Sequence, residues 1–478
     1  MFKRSALRFA VPLALATALA GCSMAPKHVR PPFPAAESYP VDYLPDAGSR
    51  MATEIGWQDF FTDPRLQAVI EMALENNRDL RISVARIQEA RGQYRIEGAA
   101  RLPQVDVGGS AARARTNTAP FEIPGVGTVG GAATADRYDV QVGVTAFELD
   151  FWGRVASLSE AARANYLSTV AAERAFRLSL IRDVAINYLQ AREQAERIAL
   201  AERTLASRKE GLRIARLRLD AGVTSALDYR QAETLLTQAE TELANLRLAR
   251  AQTRNFSYVL IGQPVPENLP EALPMARQGI IRDIGPGLPS DLLNNRPDIL
   301  AAEEQLRAAR ANVGAARAAF FPTISLTGSA GFASTELDGL FDDDGFVWSF
   351  GPSISLPIFD WGRTKGNLTV AEARENIAVA TYEKTIQTAF REVADALAGR
   401  RYLADQVAAQ ERAAAAQRQL AELARSRYLN GVAQYIEVLD AERNLFSAEQ
   451  TLIQLRRAEL TNLVSLYVAL GGGLTPRE

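Results

Sequence analysis

The sequence predicts a mostly α chain that also supplies strands to a membrane β-barrel. It is built as a tandem repeat of one helix-strand-strand-helix-helix unit. The chain matches itself at a nearly fixed offset, long proline-free stretches repeat apolar residues every seven positions, and four segments alternate apolar and polar residues.

The chain has 478 residues, 54 basic and 56 acidic, one His (His28) and one Cys (Cys22). So few His and Cys leave no material for a Cys/His zinc site, a disulfide framework or a His-dependent nucleophile pair, so no catalytic residue, metal or cofactor is expected. The near-neutral, slightly acidic balance gives no basic field for nucleic acid.

Lys3 and Arg4 precede an apolar run from Phe9 to Ala20, of signal-peptide length and too short to span a bilayer as a helix. It ends Leu19-Ala20-Gly21-Cys22, which resembles the lipobox of bacterial lipoproteins, so Cys22 is the expected lipidation site and residues 1–21 the removable signal. In that class Ser23, which is not Asp, implies sorting to the outer membrane. Pro26 to Pro45 holds six prolines in 20 residues, so residues 22–56 read as a lipidated tether in which His28 is a bystander.

The first unit spans residues 57–262 and the second 298–473, joined by a linker at 263–297 with seven prolines and three glycines and followed by a tail at 474–478. Asn76-Asn77-Arg78 recurs as Asn294-Asn295-Arg296 at offset 218, and Pro103 as Pro322 at 219. Trp152-Gly153-Arg154 recurs as Trp361-Gly362-Arg363, and Gly222-Val223 as Gly431-Val432, both at 209. The drop in offset puts a longer loop in the first strand hairpin, about 104–148, than in the second, about 323–358.

The helical hairpins, 154–262 and 363–471, carry the sevens: Val184, Ala191, Ile198, Leu205, Leu212 and Leu219, then Leu439, Phe446, Ile453, Leu460 and Tyr467. Sustained sevens predict coiled-coil packing. Helices are expected at Asp79 to Arg101, Arg154 to Leu219 and Ala226 to Ile261, as parts of a long rod of antiparallel helices. Tyr138, Val140, Val142 and Val144 alternate with polar residues, as do Ile324 and Leu326, and Phe346, Trp348, Phe350 and Ile354. Val105 to Arg115 is the weakest of the four strands. Four strands cannot close a barrel and an open edge is not tolerated in lipid, so strands must come from several copies; eight and twelve both remain open.

Trp57-Gln58-Asp59-Phe60-Phe61-Thr62-Asp63-Pro64 and the repeated Asn-Asn-Arg, Trp-Gly-Arg and Gly-Val elements resemble the TolC-type outer-membrane efflux proteins. The lipobox and proline tether resemble their lipoprotein subgroup. The resemblance implies a homotrimer with one twelve-stranded barrel, four strands per chain, on a periplasmic α-helical coiled-coil tunnel. It implies a passive conduit for small molecules such as antibiotics, set in outer-membrane lipid, with a periplasmic adaptor protein and an inner-membrane proton-driven efflux pump as partners.

It also places a periplasmic gate at the helix tips. Asp228, Glu437 and Asp440 fall where the family has acidic residues lining the closed end, and Tyr428 matches a tyrosine whose polar links hold the tips together. Ala433 departs from the family's namesake, which has an arginine there; Ile436 and Asp440, spaced i and i+4, fit the apolar-plus-acidic pair of the lipoprotein members instead. Arg443, one turn on, is placed to neutralise Asp440. The tip turns Gly222-Val223 and Gly431-Val432 are the implied adaptor contacts.

The G-x-G-x-x-G at Gly125 to Gly130 follows Pro124 and precedes a strand, the wrong context for a dinucleotide site. The acidic run from Glu336 to Asp344 reads as a solvated loop. The competing reading for the whole chain is a lipid-anchored coiled-coil spacer without a pore.

Overall fold

The computed structural model describes residues 24–40, 49–125, 127–266 and 268–474; the expected signal segment and Cys22 lie outside them. The first half runs α1 (Pro64–Asn76), α2 (Arg78–Ala99), β1 (Val105–Ile123), β2 (Gly127–Glu148), α3 (Arg154–Asp220) and α4 (Ala226–Ile261). The second runs α5 (Pro297–Ala318), β3 (Thr323–Ser334), β4 (Phe346–Ser355), α6 (Arg363–Leu429) and α7 (Tyr435–Ala469). The long helices α3 and α6 have 67 residues each, without a proline to break either.

Helix α1 is an addition to the expected order. Its start is set by Asp63, whose carboxylate accepts the Arg65 amide at 2.9 Å, and by Pro64 in the first turn. Asn77 then ends α1 and caps α2: its Oδ1 accepts the Leu80 amide at 2.8 Å, and its Nδ2 donates to the Leu260 carbonyl at 2.8 Å. In the second half Arg296 makes the matching contact, donating to the Ala469 carbonyl at 3.1 Å. Gly262 and Gly471 lie so close to the Asn76 and Asn295 carbonyls that a Cβ would sit 2.3 and 2.6 Å from those oxygens. These contacts pair Asn76 with Asn295 and Asn77 with Arg296. The repeat is therefore in register at offset 219 here, as at the prolines, and not at the 218 that matching letters suggest.

The strands form one antiparallel sheet in the order β1-β2-β3-β4, which leaves β1 and β4 as its edges. The expectation of a longer first loop is corrected. β1 and β2 have 19 and 22 residues against 12 and 10 in β3 and β4, so the extra length went into the strands. Ala112, Ala114 and Thr116 alternate with Arg113, Arg115 and Asn117, a period-two pattern that lets the ladder run on through Thr118↔Gly131. The G-x-G-x-x-G segment sits at this hairpin's tip, with Pro124-Gly125 in a turn and a strand from Gly127, so no helix follows to bind a phosphate. Within it, Val126 lies outside the described residues.

Contacts divide the described chain into two compact units. One holds residues up to Arg30, Gln88–Ser168 and Glu303–Ala380; the other holds Pro31–Ile87, Thr169–Ala302 and the residues from Thr381 on. No helix among the described residues is long and apolar enough to cross a membrane.

In the first unit the helix ends pack through small buried residues, among them Ala161, Ala164, Ala308, Ala311 and Ala315. The N-terminal segment lies against Gly314, where a Cβ would come within 2.7 Å of Ala25. His28 is no bystander. Its Nε2 faces the buried Glu303 carboxylate at 3.1 Å and its Nδ1 faces the Arg310 guanidinium at 3.2 Å. Arg30 and Arg307 complete the shell around Glu303, and Arg310 also donates to the Val29 carbonyl at 2.8 Å. Arg310 can only donate, so Nδ1 must accept and the proton resides on Nε2: the ring is neutral.

The second unit holds the large apolar core. Tyr467 is fully buried, stacked on Phe60 with ring centroids 3.9 Å apart, and its hydroxyl donates to the Ile55 carbonyl at 2.6 Å. Val184, Leu460 and Tyr467, all from the period-seven stripes, join this core. Ile198 forms a smaller cluster with Leu243 and Leu246, against which Leu205 and Phe446 pack.

Burial lowers the His28 pKa, and Arg307 and Arg310 add to this, against the raising effect of Glu303. Burial alone would raise Glu303, but bonds from Arg30, His28 and Arg307 hold it below the usual carboxylate range. A depressed histidine stabilises the docked segment fully above its free value of about 6.5 and loses that stabilisation as pH falls through the folded value. Hydrogen exchange at the Val29 and Arg30 amides, corrected for intrinsic rate, should therefore accelerate on acidification below about pH 6.5, and His28→Phe should flatten the dependence.

Candidate functional site at the helix tips

The two tips are built on the same backbone. α3 ends with Gly222 at φ 71° and α6 with Gly431 at φ 75°. The Gly222 amide donates to the Leu219 carbonyl at 2.9 Å and the Val223 amide to Arg218 at 3.0 Å. Gly431 and Val432 repeat this on Tyr428 and Arg427, both at 3.0 Å. This is the Schellman arrangement, which caps the last carbonyls and turns the chain back.

The return helices start differently. Ser225 caps α4 by accepting the Asp228 amide at 3.3 Å, while the Asp228 carboxylate accepts the Thr224 hydroxyl at 2.5 Å and the Ser225 amide at 3.5 Å. This capping box gives Asp228 a structural task in its own turn. At α7 the cap position is Gln434, whose side chain makes no capping bond, and Glu437 instead lies 3.7 Å from the Arg427 guanidinium. The second tip is thus held less tightly by its own side chains.

Aromatic and cationic groups join the tips. The Tyr428 ring lies 5.1 Å from the Tyr435 ring, and the Arg218 guanidinium from the first tip sits 4.8 Å above Tyr428. Tyr428 is therefore at a junction between the two hairpins, held through its ring face. Ile436 is 38% exposed, although Val438 and Leu439 beside it are buried. Asp440 and Arg443 form an exposed pair at 3.0 Å, with about half or more of each side chain in water. Such a pair contributes a few tenths of a kcal/mol. Val223 and Val432 are exposed apolar residues at the two turns.

Three features behind the tip escaped sequence reading. Arg208 is buried beside Glu442 at 3.6 Å, and burial lowers its pKa. Tyr435 nests on Gly211, where a Cβ would come within 2.7 Å of the phenol oxygen, and burial with the nearby Glu442 charge pushes its pKa up to about 12. Farther along, Arg197 reaches Glu193 at 3.1 Å on α3, Glu242 at 3.2 Å on α4 and Gln450 at 2.7 Å on α7. Glu193, nearly fully buried, is also paired with Arg457. A mid-helix glycine and charged residues beside a heptad stripe were the available signals. Among the described residues no group of three His, Cys, Asp or Glu side chains is placed to hold a metal.

The model of the outer membrane efflux protein family matches residues 69–263 and 288–472. The chain belongs to this family. Its relatives include the solvent efflux pump outer membrane protein SrpC of Pseudomonas putida, 44% identical over 95% of this chain and 96% of SrpC. Outer membrane protein OprJ of Pseudomonas aeruginosa is 41% identical over 96% of this chain and 95% of its own. The open state of the MtrE outer membrane channel of Neisseria gonorrhoeae superposes with a TM-score of 0.85 at 40% identity, covering 95% of this chain and 99% of MtrE. The matched spans cover both halves, so the tandem organisation and the four-stranded sheet belong to the family fold.

The glycines at the tips allow a direct check. No atom lies within 4 Å of a Cβ built on Gly431, so Gly431→Ala meets only the left-handed backbone penalty, about 1–2 kcal/mol. Hydrogen exchange at the Gly431 and Val432 amides should rise accordingly, and less in Gly431→Asn; unchanged exchange in both would mean that this cap does not hold the turn.

Proposed function

We propose that the chain is the outer-membrane channel of a tripartite efflux system: a passive conduit, without catalysis, for small molecules such as solvents and antibiotics. The observation that carries this is kinship over nearly the whole chain with outer membrane proteins of efflux pumps, together with a sheet whose two edges are open. In hydrocarbon every strand needs a partner, so the sheet must close through other copies. Three copies would give twelve strands, in keeping with the family resemblance. A periplasmic adaptor protein and an inner-membrane proton-driven pump complete the system in this reading, with Val223 and Val432 as exposed apolar contacts at the tip turns. Acylation of Cys22 would anchor the chain in outer-membrane lipid.

The gate in this proposal is the second tip. Copies of Ile436 around an axis would make an apolar constriction that shuts by dewetting, and a ring of Asp440 carboxylates would favour cations. Arg443 tempers that ring by its ion pair. Glu437 and Tyr428 tie the same tip through Arg427 and Arg218. The looser cap of α7 supports this choice over the first tip, where Asp228 is engaged by its own turn.

Single-channel recording in planar bilayers tests the proposal. Wild type should conduct weakly, Ile436→Gly/Asp440→Ala several-fold more, and Arg443→Ala should raise cation selectivity. Conduction unchanged by these substitutions would discard the gate and keep the channel. Silence from inserted wild type and mutant alike would favour the pore-less spacer.

A further inference from the structure

The two halves of the chain meet in the sheet at one junction, β2 against β3. Its lower end is fastened by three contacts. The Leu149 amide donates to the Ile324 carbonyl at 2.8 Å, the Trp152 Nε1 donates to the Pro322 carbonyl at 2.9 Å, and the Trp152 ring stacks on Phe321 at 4.6 Å between centroids. Trp152 and Leu149 come from the first repeat, and Phe321, Pro322 and Ile324 from the second.

The repeat supplies the converse set. At offset 209, Leu149 and Trp152 correspond to Ile358 and Trp361; at offset 219, Phe321, Pro322 and Ile324 correspond to Leu102, Pro103 and Val105. Within one chain these two groups lie at opposite edges of the sheet, after β4 and before β1, and among the described residues both are left open to solvent. Trp361 is fully exposed, Phe359 nearly so, and Ile358, Leu102 and Val105 are mostly exposed. Trp361 also holds φ at 55°, a left-handed conformation rare for a bulky residue. One tryptophan of the pair is seated, and its repeat equivalent has no seat among the described residues of its own chain.

We propose that a second copy of this chain provides it: Trp361 seats on Leu102 and Pro103 of the next copy, its Nε1 donating to the Pro103 carbonyl, while the Ile358 amide donates to the Val105 carbonyl. The contact sets the register of the β4–β1 seam between copies. It rests on the multi-copy barrel proposed above and adds to it the residues that fix the join.

Disulfide trapping tests it. Residues opposed across an antiparallel pair lie about 4.5–5.5 Å apart at Cα, within disulfide reach. Edge strands of one four-stranded sheet are three spacings apart, about 14 Å, so Val105→Cys/Ile358→Cys cannot close within a chain. Under mild oxidation this variant should give covalent dimers and higher species. The chain with Cys22 alone sets the background, and Leu149→Cys/Ile324→Cys gives the intrachain control. Val107→Cys/Ile358→Cys, displaced by about 7 Å along the strand, should link several-fold more slowly. Adding Trp361→Ala should slow the 105/358 link several-fold and leave the intrachain control unchanged.

Preferential linking of the displaced pair, or no linking in protein that migrates as an oligomer on native gels, would overturn the seam while leaving the multi-copy barrel. Protein that migrates as a monomer in mild detergent would overturn both. A 105/358 link indifferent to Trp361→Ala would overturn the role of the tryptophan.

Discussion

Backbone amide and carbonyl groups need partners, and at the edge of a sheet they have none inside their own layer. In hydrocarbon water cannot supply them. Among its described residues this chain has four strands in one sheet, with β1 and β4 unpaired on their outer sides. All ten residues of β4 are exposed in the isolated chain, including Phe346, Trp348, Phe350 and Ile354. Two features go with that incompleteness: a repeated unit that meets its own twin once within the chain, and a tryptophan seated at one junction with a repeat equivalent left bare at the open edge.

The helical part answers a related demand by other means. Helices satisfy their own backbone except at the ends, so design effort concentrates there. Asn77 and Arg296 donate side-chain hydrogen bonds to the closing carbonyls of α4 and α7, at Leu260 and Ala469. Gly222 and Gly431 turn the far ends with the same pair of backbone bonds. The asymmetry between the tips is in the side chains: Ser225 and Asp228 lock the first return helix, whereas Gln434 leaves the second without a side-chain cap. A less constrained tip carrying Ile436 and Asp440 is a suitable place for a moving part.

Much of this was legible in the sequence. α4 begins and ends where expected, and α3 runs one residue past Leu219, because proline-free runs with periodic apolar residues and terminal glycines constrain helix ends strongly. The strands were legible by alternation, but β1 and β2 were read too short, since small residues such as Ala112 and Ala114 weaken the contrast that marks a strand. Contacts over distance were not legible. His28 and Glu303 are 275 positions apart, and the buried charges at Arg197, Glu193 and Arg208 read locally as ordinary solvated helix residues. Asp228 read as an acid at a constriction, and its capping role depends on Thr224 and Ser225 folding back, a geometry that spacing alone leaves open.

One chain leaves both edges of its sheet open among the described residues. Native mass spectrometry of the protein released from mild detergent counts the copies directly. The proposed twelve-stranded closure predicts a stable assembly of three chains, with no population of single chains at concentrations where the protein is folded. A folded, detergent-stable monomer would contradict it, and a stable pair would mean eight strands and a different closure.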